Sequence, residues 1–146
     1  WVYEGPLKED VPGIAEQGTP FKFQFSWNWI LDKNALEHEL HGEFGEEGTY
    51  TEKGLVGWNS SDDEVVYGLM SSFGTSWLGN THFNAKEKTF TSTSQGITSE
   101  GKKTSYKGVI TLTGKDTLTW QALRREGGFV EGKSPVYTFK RVKHSH

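Results

Sequence analysis

Cysteine is absent from the 146 residues, which excludes disulfides, thiolate catalysis and Cys-ligated metal without deciding the compartment. Apolar residues make up only 33%, and no apolar run is long enough to cross a membrane as a helix. An excess of positive charge is missing too. The 16 Lys and Arg are interspersed with 19 Asp and Glu for a net charge of -3, so neither a basic field for nucleic acid nor a polybasic lipid anchor is expected. No Gly-rich phosphate loop, nucleophile elbow or His-x-x-x-His zinc pair occurs, and no cofactor is expected. The chain begins at Trp1 instead of Met, so an upstream piece, a signal peptide or another domain, is expected to have been removed. Cytoplasmic and secreted or periplasmic locations both stay open.

What the chain has in quantity is aromatic residues, 14% of the total, with six Trp and nine Phe. An interior built from few, large side chains either packs roughly or leaves a cavity. The stretch Pro20 to Phe44 organises the rest. Phe21, Phe23, Phe25, Trp27 and Trp29 alternate with Lys22, Gln24, Ser26 and Asn28, a period of two that only an extended strand turns into two faces. After a turn at Asp32, Lys33 and Asn34 the alternation resumes, with Leu36, His38 and Leu40 opposite Glu37, Glu39, His41 and Glu43. The result is a β-hairpin with one dry face, on which Phe23, Phe25, Trp27, Leu36 and Leu40 are expected to be buried.

Before the hairpin, Trp1 to Glu4 reads as a short strand. Gly5 to Pro20, with its Pro and Gly residues, reads as a flap. Beyond the hairpin, strands and turn clusters alternate about every ten residues to Arg141, the pattern of an antiparallel meander whose sequence neighbours are spatial neighbours. No convincing helix is available to cover the dry face, so the sheet must curl back upon itself. The expectation is all-β: an antiparallel up-and-down barrel of about 8–10 strands, spanning residues 1–141 as one domain, with the flap over one end and 142–146 as a flexible tail.

Trp1-x-x-Glu4-Gly5, Trp29-Ile30-Leu31-Asp32, Gly54-Leu55-Val56-Gly57-Trp58-Asn59, Phe83-Asn84 and Phe139-Lys140-Arg141 follow one another in an order that resembles an uncharacterised bacterial family of lipocalin-like, calycin-type single-domain proteins. Related domains occur beside polyketide-cyclase-like modules. The chain departs from that family's pattern at Lys33, at Asn59-Ser60 and at Ser71-Ser72. The resemblance implies a lipocalin-like barrel fold more than an activity. It also implies a closure pair in which Arg141 stacks over the indole of Trp1, a favourable plug for a barrel end.

Several residues are candidates for chemistry. His38 falls on the dry face, where it is either a hydrogen-bonded core residue or a ligand-contacting or acid/base group. In Thr49 to Trp58 the face bearing Tyr50, Glu52, Gly54, Val56 and Trp58 reads as inward, unless a bulge at Gly54 reverses half of it. Glu52 is then an interior carboxyl. Leu118, Trp120, Ala122 and Arg124 form one face of a late strand, aiming Arg124 at the interior or its rim, paired with Glu52 or waiting for a ligand carboxylate as in fatty-acid-binding barrels. Val65, Tyr67 and Leu69 add to the lining, as do Trp77, Gly79, Thr81 and Phe83 if their face turns inward; the opposite choice brings in His82. The tail His144-Ser145-His146 is expected to be no site.

The combined reading is a barrel that binds one small, largely apolar or amphipathic molecule, possible carboxylates included, against Phe25, Trp27, His38, Tyr50, Glu52, Trp58, Tyr67, Trp120 and Arg124. Two alternatives stay open. One is an enzyme, a cyclase, isomerase or hydro-lyase, using His38 and Glu52 or Tyr50 as acid and base. The other is a packed barrel acting as an accessory or interaction domain.

Overall fold

The computed structural model describes residues 1–143, so the His144-Ser145-His146 tail lies outside the described residues. The strands are β1 (Val2–Pro6), β2 (Pro20–Ile30), β3 (Ala35–Phe44), β4 (Thr49–Asn59), β5 (Glu64–Ser71), β6 (Ser76–Asn84), β7 (Thr89–Ile97), β8 (Lys103–Leu112), β9 (Thr117–Glu126) and β10 (Tyr137–Lys140). Each is antiparallel to the next, and β1 pairs with β10, so the ten strands close into an up-and-down barrel. One 3-10 turn, Leu31–Lys33, is the sole helical element among the described residues, and no helix there is long and apolar enough to cross a membrane.

The aromatic hairpin forms as its alternation demands. Phe21 faces Phe44, Phe25 faces Leu40 and Trp27 faces His38, all on the inner surface. A buried cluster of Tyr3, Phe21, Phe25, Phe44, Leu118, Tyr137 and Phe139 gathers where β9, β10, β1 and β2 meet. Phe139 is fully enclosed, with Phe25 and Phe23 rings at 4.9 and 5.4 Å. Trp1 and Arg141 do stack: the guanidinium lies 4.4 Å from the ring centre, and Arg141 Nε stands 3.4 Å from the Asp116 carboxylate.

The flap, residues 7–19, covers one end. Leu7 and Val11 are buried against the cluster, the Lys8 amide donates to the Tyr137 hydroxyl at 3.0 Å, and Arg125 holds Glu9 through two hydrogen bonds of 2.7 and 2.9 Å. The other end is more open. There β2 outruns β1, whose last bond to it is Phe25 N–H to Trp1 O at 3.0 Å, and Trp27 is 38% exposed. The expected burial of Trp27 is therefore corrected: a ring on the inner face is dry only where neighbouring strands extend past it. Phe25 is buried as expected, while Phe23, Leu36 and Leu40 are half-buried.

The opposite wall, β4 to β8, is thinner. Several inward positions are glycines over which a ring lies along the wall. A Cβ on Gly79 would overlap the Tyr67 ring, one on Gly96 the Trp77 indole, and one on Gly108 the Tyr106 phenol. The buried apolar cluster accordingly gathers on the β9–β10–β1–β2 side, opposite this ring-over-glycine wall.

Candidate functional site

Strand β4 has no bulge, so Tyr50, Glu52, Gly54 and Val56 keep one face, opposite Gly42, Leu40, His38 and Leu36 of β3. That face is the interior, as the sequence suggests. Glu52 sits between Leu40 and Ser71 and is deeply desolvated, which pushes its carboxyl up to about 7, an effect partly offset by the neighbouring Tyr50 hydroxyl. Burial likewise raises the Tyr50 phenol, which lies beside Glu52 and Ser71, and the Tyr67 phenol, which lies beside Ser94 and Ser92. The Tyr106 hydroxyl, on the far wall, accepts the indole N–H of Trp120 at 2.8 Å and is close enough to Glu52 and Tyr67 to feel both. Its own proton is therefore free to point elsewhere. One carboxyl and the hydroxyls of Tyr50, Tyr67 and Tyr106 thus converge on one interior space.

His38 is buried beside Trp27, with ring centres 6.0 Å apart, and burial holds its imidazole down to about 4, against a small opposing pull from Glu39. It lies diagonally from Glu52 across the β3–β4 ladder, and no hydrogen bond joins the two. Among the described residues neither His38 nor Glu52 makes an ion pair; Glu52 has the Tyr50 hydroxyl beside it, and His38 makes no side-chain hydrogen bond. Yet no buried polar side-chain atom there is both sealed from water and unpartnered. The polar atoms of His38 therefore open onto water-accessible space inside the barrel.

The expectation for Arg124 is overturned by a bulge. Lys107 faces Arg124 but Gly108 faces Ala122, so Leu123 is an extra residue and the inside–outside alternation of β9 flips there. Arg124 points outward, exposed, 4.0 Å from Glu126, and pairs neither with Glu52 nor with the interior. Arg125 takes the inward position instead, engaged by Glu9 and by the Gly132 carbonyl at 2.9 Å. Trp120 faces inward as expected, its ring 5.8 Å from Phe23.

At the open end Trp58, Trp29 and Phe83 are 58%, 63% and 55% exposed, so Trp58 frames the mouth and does not line a dry pocket. Val65 faces Thr81, and Tyr67 faces Gly79, on the inner surface; His82 points out, exposed, 3.4 Å from Glu64. At the flap end Tyr50, Phe73 and Phe129 pack edge to face, with Phe73 at 5.1 Å from Tyr50 and 5.0 Å from Phe129. Sequence reasoning missed Tyr106, Arg125 and Glu9. Tyr106 was findable, because it shares a period-two face with Gly108 and Ile110. Arg125 was not, because its orientation depends on the bulge. An outer groove near Met70, Leu78 and Ile97, lined also by Lys103 and Glu126, lies apart from Glu52 and His38. Among the described residues no three His, Asp or Glu side chains come together as a metal-holding group.

Compared with known proteins, the chain matches no family model and no curated sequence. Fold and site are accordingly the basis for assigning a class: a closed, ten-stranded antiparallel barrel with a packed aromatic seam and a polar patch in its interior.

Proposed function

We propose that this protein binds one small, largely apolar molecule inside its barrel, admitted through the end framed by Trp29, Trp58 and Phe83, where the Trp1–Arg141 stack covers only the β1–β10 edge of the opening. The observation that carries this reading is the interior polar set of Glu52, Tyr50 and His38, in which, among the described residues, Glu52 meets the Tyr50 hydroxyl but no cation and His38 meets no hydrogen-bond partner. A barrel serving only as a packed accessory domain would close the space around these groups with side chains in contact. Entry past the flap is disfavoured because Leu7 and Val11 are buried and Glu9 is locked on Arg125. A carboxylate head group also finds little support, since Arg124 lies outside and Arg125 is already neutralised. Membership of the lipocalin-like bacterial family belongs to the same reading, supported by the up-and-down closure and the Trp1–Arg141 stack.

A second reading, an enzyme acting on an enclosed substrate, is favoured by one observation. A carboxyl near 7 beside a phenol, Glu52 with Tyr50, suits proton transfer at neutral pH. Binding is the prior requirement of both readings. Titration with the neutral, apolar dye Nile red should quench tryptophan emission with a saturable one-site curve, and Val56→Trp, which fills the lumen, should abolish it. Absence of binding, or binding untouched by Val56→Trp, would remove the lumen as the site.

A further inference from the structure

The lumen-binding reading leaves the chemistry of the ligand open, and the charges around Glu52 narrow it. Around this carboxyl stand Tyr50 on its own strand, His38 and Leu40 on β3, Tyr67 and Ser71 on β5, and Tyr106 on β8, with Arg125 of β9 behind Tyr106. None of them pairs a positive charge with Glu52. Burial keeps the His38 imidazole neutral, and both arms of Arg125 are taken up by Glu9. Lys53 lies on the outer face of β4, 2.9 Å from Glu39. Among the described residues a carboxylate in this position has no counter-ion, and an unpaired interior charge is strongly unfavourable.

We infer that the ligand itself brings the counter-ion: an amphipathic amine whose protonated nitrogen sits against the Glu52 carboxylate while its apolar body runs toward the open end. The surroundings suit such a head group. The electron-rich rings of Tyr50, Tyr67 and Tyr106 border the same space, and a desolvated cation gains from aromatic faces. Along β4, the inward positions from Glu52 through Gly54 and Val56 to Trp58 span about 20 Å at the rise of a strand, long enough for an extended apolar body. A carboxylate ligand would meet Glu52 as a like charge, and a neutral one would leave it unpaired. Because Glu52 is ionised only above its raised value near 7, the preference for an amine should fade as the pH falls.

The inference rests on the lumen-binding reading, and a matched series separates the two. Decylammonium, decanol and decanoate share one chain and differ only in the head group. Below their micelle concentrations, followed by tryptophan emission and calorimetry at about pH 8, decylammonium should bind at least about tenfold more tightly than decanol, one unpaired charge being worth that much or more. Decanoate should bind most weakly. Glu52→Gln should erase the advantage of the amine, bringing decylammonium and decanol to within about twofold of each other. In the unmutated protein the advantage should also disappear near pH 5, a readout that needs no variant. Equal binding of decylammonium and decanol at pH 8, or an advantage that survives Glu52→Gln or pH 5, would overturn the inference and leave lumen binding standing. Failure of all three chains to bind would overturn both.

Discussion

Arg125 and Glu9 form a two-pronged pair, Nη1 to Oε1 at 2.7 Å and Nη2 to Oε2 at 2.9 Å, across 116 positions of sequence. It fixes the flap to β9, the strand that carries the bulge at Leu123. Both side chains are largely buried, so removing one partner strands the other in a poorly hydrated place. Arg125→Gln is expected to lose about 1–3 kcal/mol, with coupling to Glu9→Gln of about 0.5–3 kcal/mol in a double-mutant cycle. Hydrogen exchange should show residues 7–19 losing protection first. Additive losses would mean that the pair does not hold the flap.

The two interior titrating groups pull stability in opposite directions. Glu52 rises from 4.5 to about 7 in the folded state, so as pH climbs through this window the unfolded chain sheds its proton first and stability falls. His38 drops from 6.5 to about 4, so as pH declines through that window the unfolded chain takes up its proton first and stability again falls. Each effect is at most on the order of 3 kcal/mol, and between about pH 4.5 and 6.5 they offset one another. Urea unfolding should therefore find a stability nearly flat in that range for the unmutated protein, rising with pH in Glu52→Gln and falling with pH in His38→Gln. Parallel profiles in all three would refute the assignment.

Two aromatic truncations should separate the packed seam from the open mouth. Phe139→Ala, at a site with no exposure, is expected to cost about 3–5 kcal/mol. Trp27→Ala, at a ring more than a third exposed, should cost less than about 2 kcal/mol. Equal losses in chemical denaturation would contradict that separation.

The stack of Arg141 on Trp1 offers a fourth energetic test. Trp1→Ala and Arg141→Ala should show coupling of about 0.5–2 kcal/mol in a double-mutant cycle, with Asp116→Asn used to separate the ion pair from the ring contact. No coupling would mean that the closure pair contributes nothing.

The alternation of Phe21 to Trp29 carries the barrel in plain view, because side-chain period depends only on the strand itself. How dry each ring becomes is another matter. Trp27 and Trp29 follow the same rule as Phe25 but stand where β1 no longer runs alongside, a fact of the neighbour's length. Glu52 was legible for the same reason that Phe25 was: its strand keeps its register from end to end. Arg124 and Arg125 exchange roles because of one extra residue at Leu123, and a bulge is decided by the pairing of two strands, which neither strand's own pattern records. Glu9 lies in a segment with no period at all, so its partner was out of reach of sequence reasoning.

The ladder joining β1 to β10 has a single register pair, Val2 with Lys140, whereas β2 and β3 run in register from Phe21–Phe44 to Ile30–Ala35. Every other neighbouring pair is a hairpin or short meander step that can form locally, but this one must bring together segments at nearly the full sequence separation. Closing the ring is thus a non-local step, expected late in folding, in which the packing of Tyr3, Tyr137 and Phe139 adds to a short backbone ladder. The species just before closure carries two unpaired strand edges beside its most apolar surface. That is the point on the folding route at which two chains are most prone to join each other.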